Sequence, residues 1–141
     1  MDEGKRIKLN DIPSYIWSMM MSDAILIRKI IFIAICLSFS ACLQVFPDFF
    51  IYWREHLLTD MWRIWTAHWV HVGWMHYLLN MLAFMCLPFI FPQFKSQHIA
   101  FLLCLLPLCI SLTFYIFFPQ IMAYAGLSGV LHGLYVVAAI I

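Results

Sequence analysis

A chain of 141 residues that is 65 % apolar, 18 % aromatic and 11 % charged is excluded from the ordinary soluble globular class, in which about a quarter of residues are charged. The formal net charge of +1 comes with no extended basic patch, so nothing argues for nucleic acid as a partner. Apolar runs succeed one another through short connections, and such runs must satisfy their own backbone in lipid. The expected fold is therefore all-α, a single polytopic helix bundle with the lipid bilayer as its surroundings.

Residues 1–29 are expected to form a cytoplasmic amino-terminal segment and residues 30–141 the membrane domain. The segment carries Lys5, Arg6, Lys8, Arg28 and Lys29 against Asp2, Glu3, Asp11 and Asp23. Its apolar run starts too far in for a usual cleaved signal peptide, so it should remain as an anchor. Ser14 to Ile27 is compatible with an amphipathic surface helix, with Tyr15, Ile16, Met19, Met20 and Ile25 on the lipid side.

Spans are expected at Ile30 to Phe46, Trp69 to Phe91, His98 to Phe118 and Tyr124 to Ile141, with Pro47 stopping the first. The amino-terminal segment and the turn from Pro92 to Gln97 together hold six of the eight basic residues. The positive-inside rule then makes the amino terminus cytoplasmic, and spans two and four both begin at the exterior face. Cys36, Cys42, Cys86, Cys104 and Cys109 all sit inside apolar runs, without disulfide or zinc spacing, and read as small packing residues.

The connection from Pro47 to about His68 is too polar to span, yet Trp53, Trp62 and Trp65 lie in it, with Trp69 and Trp74 just beyond. Two readings stand: an ordinary aromatic belt, or a structured loop that shapes the membrane around a site.

Polar residues inside the spans need a reason, because hydrocarbon makes them expensive. His76 and Asn80 are one turn apart on one face of span two. With both spans beginning at the exterior, Ser128 and His132 of span four fall at similar depths, His76 about 10 Å and Ser128 about 6 Å below that surface at 1.5 Å per residue. A hydrolase requires a nucleophile, a base, and donors for an oxyanion. Ser128 offers the first. Gly126 and Gly129 permit close backbone approach, and the first amides of span four lack intrahelical acceptors. His76 and Asn80 add side-chain donors. The competing reading is structural, with Ser128 bonded back to a carbonyl and Gly129-x-x-x-Gly133 packing helices.

Gly126-Leu127-Ser128-Gly129 at the head of a span, His76-x-x-x-Asn80 in an earlier one and Trp62-Arg63 in the preceding loop resemble the rhomboid intramembrane serine proteases, over roughly Trp53 to Ile141. The wording from Trp62 to Asn80, with Gly126 to Gly133, is similar to the rhombosortase branch, bacterial enzymes thought to process proteins bearing a GlyGly-CTERM anchor. The resemblance implies that Ser128 attacks the scissile carbonyl of a membrane-anchored protein substrate, while its own amide, His76 and Asn80 stabilise the oxyanion. It also implies that His71 belongs to the polar surroundings of the site and that Trp62-Arg63 structures a half-submerged loop. A bacterial inner membrane, with the active site facing the periplasm, follows from the same likeness.

In that family the general base is a histidine on the sixth span, so the expectation is a fragment holding about four of six helices. His132, one turn from Ser128, is expected to support the site, with the role of base as its alternative. The resemblance calls for no cofactor. Two other functions stay open. One is an inactive rhomboid-like protein that binds membrane helices. The other is haem or metal binding through His68, His71, His76 and His132, against which the spacing argues.

Overall fold

The computed structural model describes residues 14–140, with side chains from residue 22. The lipid-side placement of Tyr15, Ile16, Met19 and Met20 lies outside the described side chains. The element order is α1 (Ser14–Gln44), α2 (Pro47–Phe50), β1 (Tyr52–Trp53), a 3-10 turn (Arg54–His56), α3 (Arg63–Thr66), α4 (Trp74–Ile90), α5 (Ser96–Phe117), β2 (Ala123–Tyr124) and α6 (Ser128–Ile140).

Helix α1 runs unbroken through Ser14–Gln44, so the surface helix expected over Ser14 to Ile27 and the span expected from Ile30 form one continuous helix. Nothing in its apolar sequence breaks the ladder until Pro47, which lacks an N–H and instead opens α2 at its first position. Ser22–Gln44 and Ser96–Phe117 are each long and apolar enough to cross a bilayer.

The other two spans start later than the hydropathy boundaries. Helix α4 begins at Trp74 rather than Trp69, because Gly73 has φ +89°, a left-handed conformation that ends any continuous helix. Helix α6 begins at Ser128 rather than Tyr124, since Ala123–Tyr124 is taken up as a strand. That strand pairs antiparallel with β1 in the register Tyr52↔Tyr124 and Trp53↔Ala123. Hydrophobicity alone extends a span into any adjoining apolar residues, whereas the backbone stops at the glycine and at the strand.

Helix α6 packs on both α4 and α5, and α1 packs on α4 and α5. The core between them holds Ile33, Tyr77, Phe84, Leu87, Leu103, Val130 and Leu134. Large apolar side chains face outward along the same helices, among them Ile35, Leu78, Phe101, Ile116 and Val136. This is a surface suited to lipid rather than to water.

The loop between α1 and α4 is built rather than slack. Arg63 is 7 % exposed, pairs with Asp60 at 2.9 Å and donates to the carbonyls of Ile51 at 2.8 Å and Asp48 at 3.3 Å. Trp62 stacks on Phe49, with ring centroids 5.7 Å apart. The indole of Trp65 donates to the Cys104 carbonyl of α5 at 2.9 Å. Arg54 reaches the other end of α5, donating to the Phe114 and Tyr115 carbonyls at 3.1 and 2.7 Å. Trp53, Trp62, Trp65 and Trp74 remain exposed while Trp69 is buried against Phe39 and Phe84, so four indoles of this region stay available to the membrane interface.

Candidate active site

Ser128 is the first residue of α6, not four residues inside it. The turn that delivers it is held from three sides. The Gly126 amide donates to the Ala67 carbonyl at 3.0 Å. The Gly126 carbonyl accepts the Tyr124 hydroxyl at 2.8 Å, and the Leu127 amide donates to His71 Nε2 at 3.1 Å. Gly126 itself has φ +136°, a conformation that L side chains rarely adopt. With these groups engaged, the amides of the first turn of α6, Ser128 among them, are the ones without an intrahelical acceptor.

His71 lies in the loop ahead of α4, not within a span as hydropathy suggested. Its position is fixed by Gln44 at the end of α1, which accepts the His71 amide at 2.8 Å and donates to the His71 carbonyl at 2.9 Å. Because Nε2 accepts an N–H, the ring proton must sit on Nδ1, which is buried without a partner among the described residues. Burial, then the neighbouring His76, holds the His71 pKa down to about 4, so the acceptor tautomer persists at neutral pH.

His68 is fully buried beside this turn. The Ser111 hydroxyl donates to the Ile64 carbonyl at 3.0 Å, which leaves its oxygen to accept from His68 Nε2 at 3.1 Å. Burial lowers the His68 pKa to about 4 as well, partly offset by the Gly126 and Pro107 backbones. The Tyr124 ring sits 5.3 Å from His68 and 5.1 Å from Phe114. Burial raises the Tyr124 pKa, while hydrogen bonding with the Ser128 side chain and the Gly129 backbone pulls it down.

A cavity of about 480 Å³ opens between α4 and α6, lined by Leu79, Asn80, Ala83, Ser128, Leu131, His132 and Tyr135. Ser128, Asn80 and His132 therefore share one space. Asn80 spends one amide hydrogen on the His76 carbonyl at 2.9 Å, which aims the side chain and leaves its second hydrogen unspent. The exposed His76 ring stands edge-on to His71 at 5.2 Å, and its Cε1 would lie 3.5 Å from a Cβ placed on Gly126. His132 Nδ1 is 2.7 Å from the Ser128 carbonyl oxygen, so this nitrogen donates to backbone and is not turned to the hydroxyl.

Gly129 and Gly133 face α5. A Cβ at Gly129 would meet Ile110 at 3.3 Å, and one at Gly133 would meet Leu106 at 2.7 Å. Trp62 and Arg63 lie away from the cavity, in the loop they brace. Tyr124, Gln44 and His68 belong to the surroundings of Ser128 and were not singled out for it by sequence motifs.

The histidines do not converge as ligands, since His68, His71 and His132 each engage a different protein group. Among the described residues no cluster of three or more His, Cys, Asp or Glu could hold a metal.

A helical bundle with a lipid-facing exterior and a buried polar turn at one end defines an integral membrane protein with a hydroxyl-bearing site near its surface. A family model for the Rhomboid domain matches residues 58–141, and the chain belongs to that family. Rhomboids are generally serine proteases that act on membrane-protein substrates within the bilayer. No curated protein and no solved structure matches the chain.

Proposed function

We propose that this protein is an intramembrane serine endopeptidase of the rhombosortase branch, cutting a membrane-anchored protein with a GlyGly-CTERM anchor. The observation that carries the reading is the meeting of Ser128 and Asn80 in one cavity, with His76 beside Gly126. Ser128 Oγ attacks the scissile carbonyl, and the carbonyl oxygen becomes an oxyanion. The Ser128 amide, the second Asn80 hydrogen and a His76 ring N–H are the donors that meet it. Collapse of the tetrahedral species breaks the peptide bond, releases the amine and leaves an ester on Ser128 for water to hydrolyse.

The base in this reading is the dyad histidine of the family, which takes the Ser128 proton and returns it to the leaving amine. His132 supports the site by bonding the Ser128 carbonyl. In the proposed orientation the amino terminus is cytoplasmic and Ser128 opens toward the periplasm of a bacterial inner membrane, where water is at hand.

The test is cleavage of a reporter fused to a GlyGly-CTERM anchor, co-expressed with the wild type or with Ser128→Ala. Loss of cleavage in the variant alone supports the reading, and equal processing by both rejects it. A second reading, a rhomboid-like protein that binds membrane helices without cutting, is favoured by the commitment of His132 Nδ1 to backbone. It predicts that Ser128→Ala captures the anchored reporter as the wild type does, with no processing by either.

A further inference from the structure

The far end of α4 from His76 carries a second polar construction that the chemistry at Ser128 does not use. Lys29 of α1 is only 8 % exposed, and its ammonium donates to the Pro92 carbonyl just past α4. A neutral carbonyl takes one of three N–H groups and none of the charge. Lys29 lines a cavity of about 280 Å³ with Arg28, Lys95, Ile25, Ser96 and Gln97. Three cations from two elements thus surround one space.

Among the described residues the one ion pair is Arg63–Asp60, so no described carboxylate neutralises the three, and Asp23, the nearest described acid along α1, pairs with none of them. Helix α5 starts at the same place with no side-chain cap, adding the acceptor-free amides of Ser96 and Gln97. The cavity is built to receive negative charge.

A second cavity identifies what carries that charge. A groove of about 300 Å³ between α1 and α4 is lined by Ile30, Ile33, Ala34, Leu37, Pro88 and Phe89, together with Met85, all apolar. Ile33 lies four residues beyond Lys29 and so on the same face of α1. Cations beside an apolar groove, at one end of a membrane bundle, match a phosphate joined to an acyl chain and exceed what a free phosphate needs.

We propose that this end of the bundle binds an anionic phospholipid, with its phosphate among Arg28, Lys29 and Lys95 and one acyl chain in the α1–α4 groove. The site is separate from the proposed peptidase centre and does not depend on it. Native mass spectrometry of the full chain, exchanged from nanodiscs of mixed phosphatidylglycerol and phosphatidylcholine, tests it. The wild type should retain phosphatidylglycerol over phosphatidylcholine, and Arg28→Gln/Lys95→Gln should reduce that preference at least about fivefold. Ala34→Phe, which fills the groove, should lower retention of both lipids. Equal retention of the two lipids by the wild type, a measurement that needs no variant, overturns the proposal. An unchanged preference in the double variant does the same. Retention of inorganic phosphate by the wild type, with phosphatidylglycerol held no better than phosphatidylcholine, would assign the cations to free phosphate and reject the lipid.

Discussion

His71 Nε2 accepts the backbone amide of Leu127 at 3.1 Å, so a neutral imidazole in one loop holds the residue next to Ser128 in another. The folded pKa of about 4 lies below the ordinary 6.5, and His68 is shifted the same way. Between those values the unfolded chain binds more protons than the folded one. Stability from this source is complete above about pH 6.5 and drains as pH falls toward 4. The thermal midpoint in detergent should therefore decline across that window. His71→Gln, which keeps an acceptor but cannot titrate, should flatten part of the decline; an unchanged slope would remove His71 from the account.

Asn80→Ala should lower the rate of reporter cleavage by roughly a hundredfold or more, the scale of one oxyanion donor, with substrate affinity little altered. Turnover against anchored substrate, measured separately for kcat and KM, checks this. A change confined to KM would move Asn80 out of the oxyanion site and into ordinary binding.

The helices and the two halves of this cavity were legible in the sequence because apolar run length and a four-residue spacing are local properties. Ser128, His76 and Asn80 could be brought to one depth by counting. What counting could not reach was the backbone between the spans. The +89° φ of Gly73 cuts Trp69 to Val72 away from α4, and the pairing of Tyr124 with Tyr52 cuts the start from α6. The bonds from His71, Tyr124 and Gln44 to backbone groups are likewise invisible, because a backbone amide donor or carbonyl acceptor leaves no mark on residue type. The role of His132 was open for the same reason, with its partner being the Ser128 carbonyl rather than any side chain.

Gly126→Ala should destabilise the protein by about 1–3 kcal/mol through backbone strain alone. The space at the position is adequate, since its nearest neighbour to an added Cβ is His76 Cε1 at 3.5 Å. Retained helicity with a lowered thermal midpoint is the expected signature. A midpoint equal to the wild type would show that the turn relaxes to a different φ.

Tyr124→Phe removes the hydroxyl that holds the Gly126 carbonyl, and the carbonyl then loses a partner in a half-buried place. A loss of about 1 kcal/mol in stability is expected, together with a several-fold drop in Ser128 labelling by a fluorophosphonate probe in a preparation where the wild type labels. Labelling at the wild-type rate would leave Tyr124 a purely structural residue.

Arg63→Lys keeps the charge but cannot reproduce the planar fork that reaches Asp60, Ile51 and Asp48 together. Destabilisation by about 1–3 kcal/mol is expected, with faster proteolytic nicking of the loop between α1 and α4. Arg63→Ala should nick faster still.

The two-residue sheet has a consequence for biogenesis. Joining Tyr52 to Tyr124 closes a loop of about seventy residues, a contact that costs chain entropy and waits for everything between. Helices α4 and α5 must be laid into the bilayer before the second strand can dock, and only then does Ser128 receive its surroundings. A ribosome-bound chain that has exposed only the first loop therefore holds one strand of this sheet and none of the turn that surrounds Ser128.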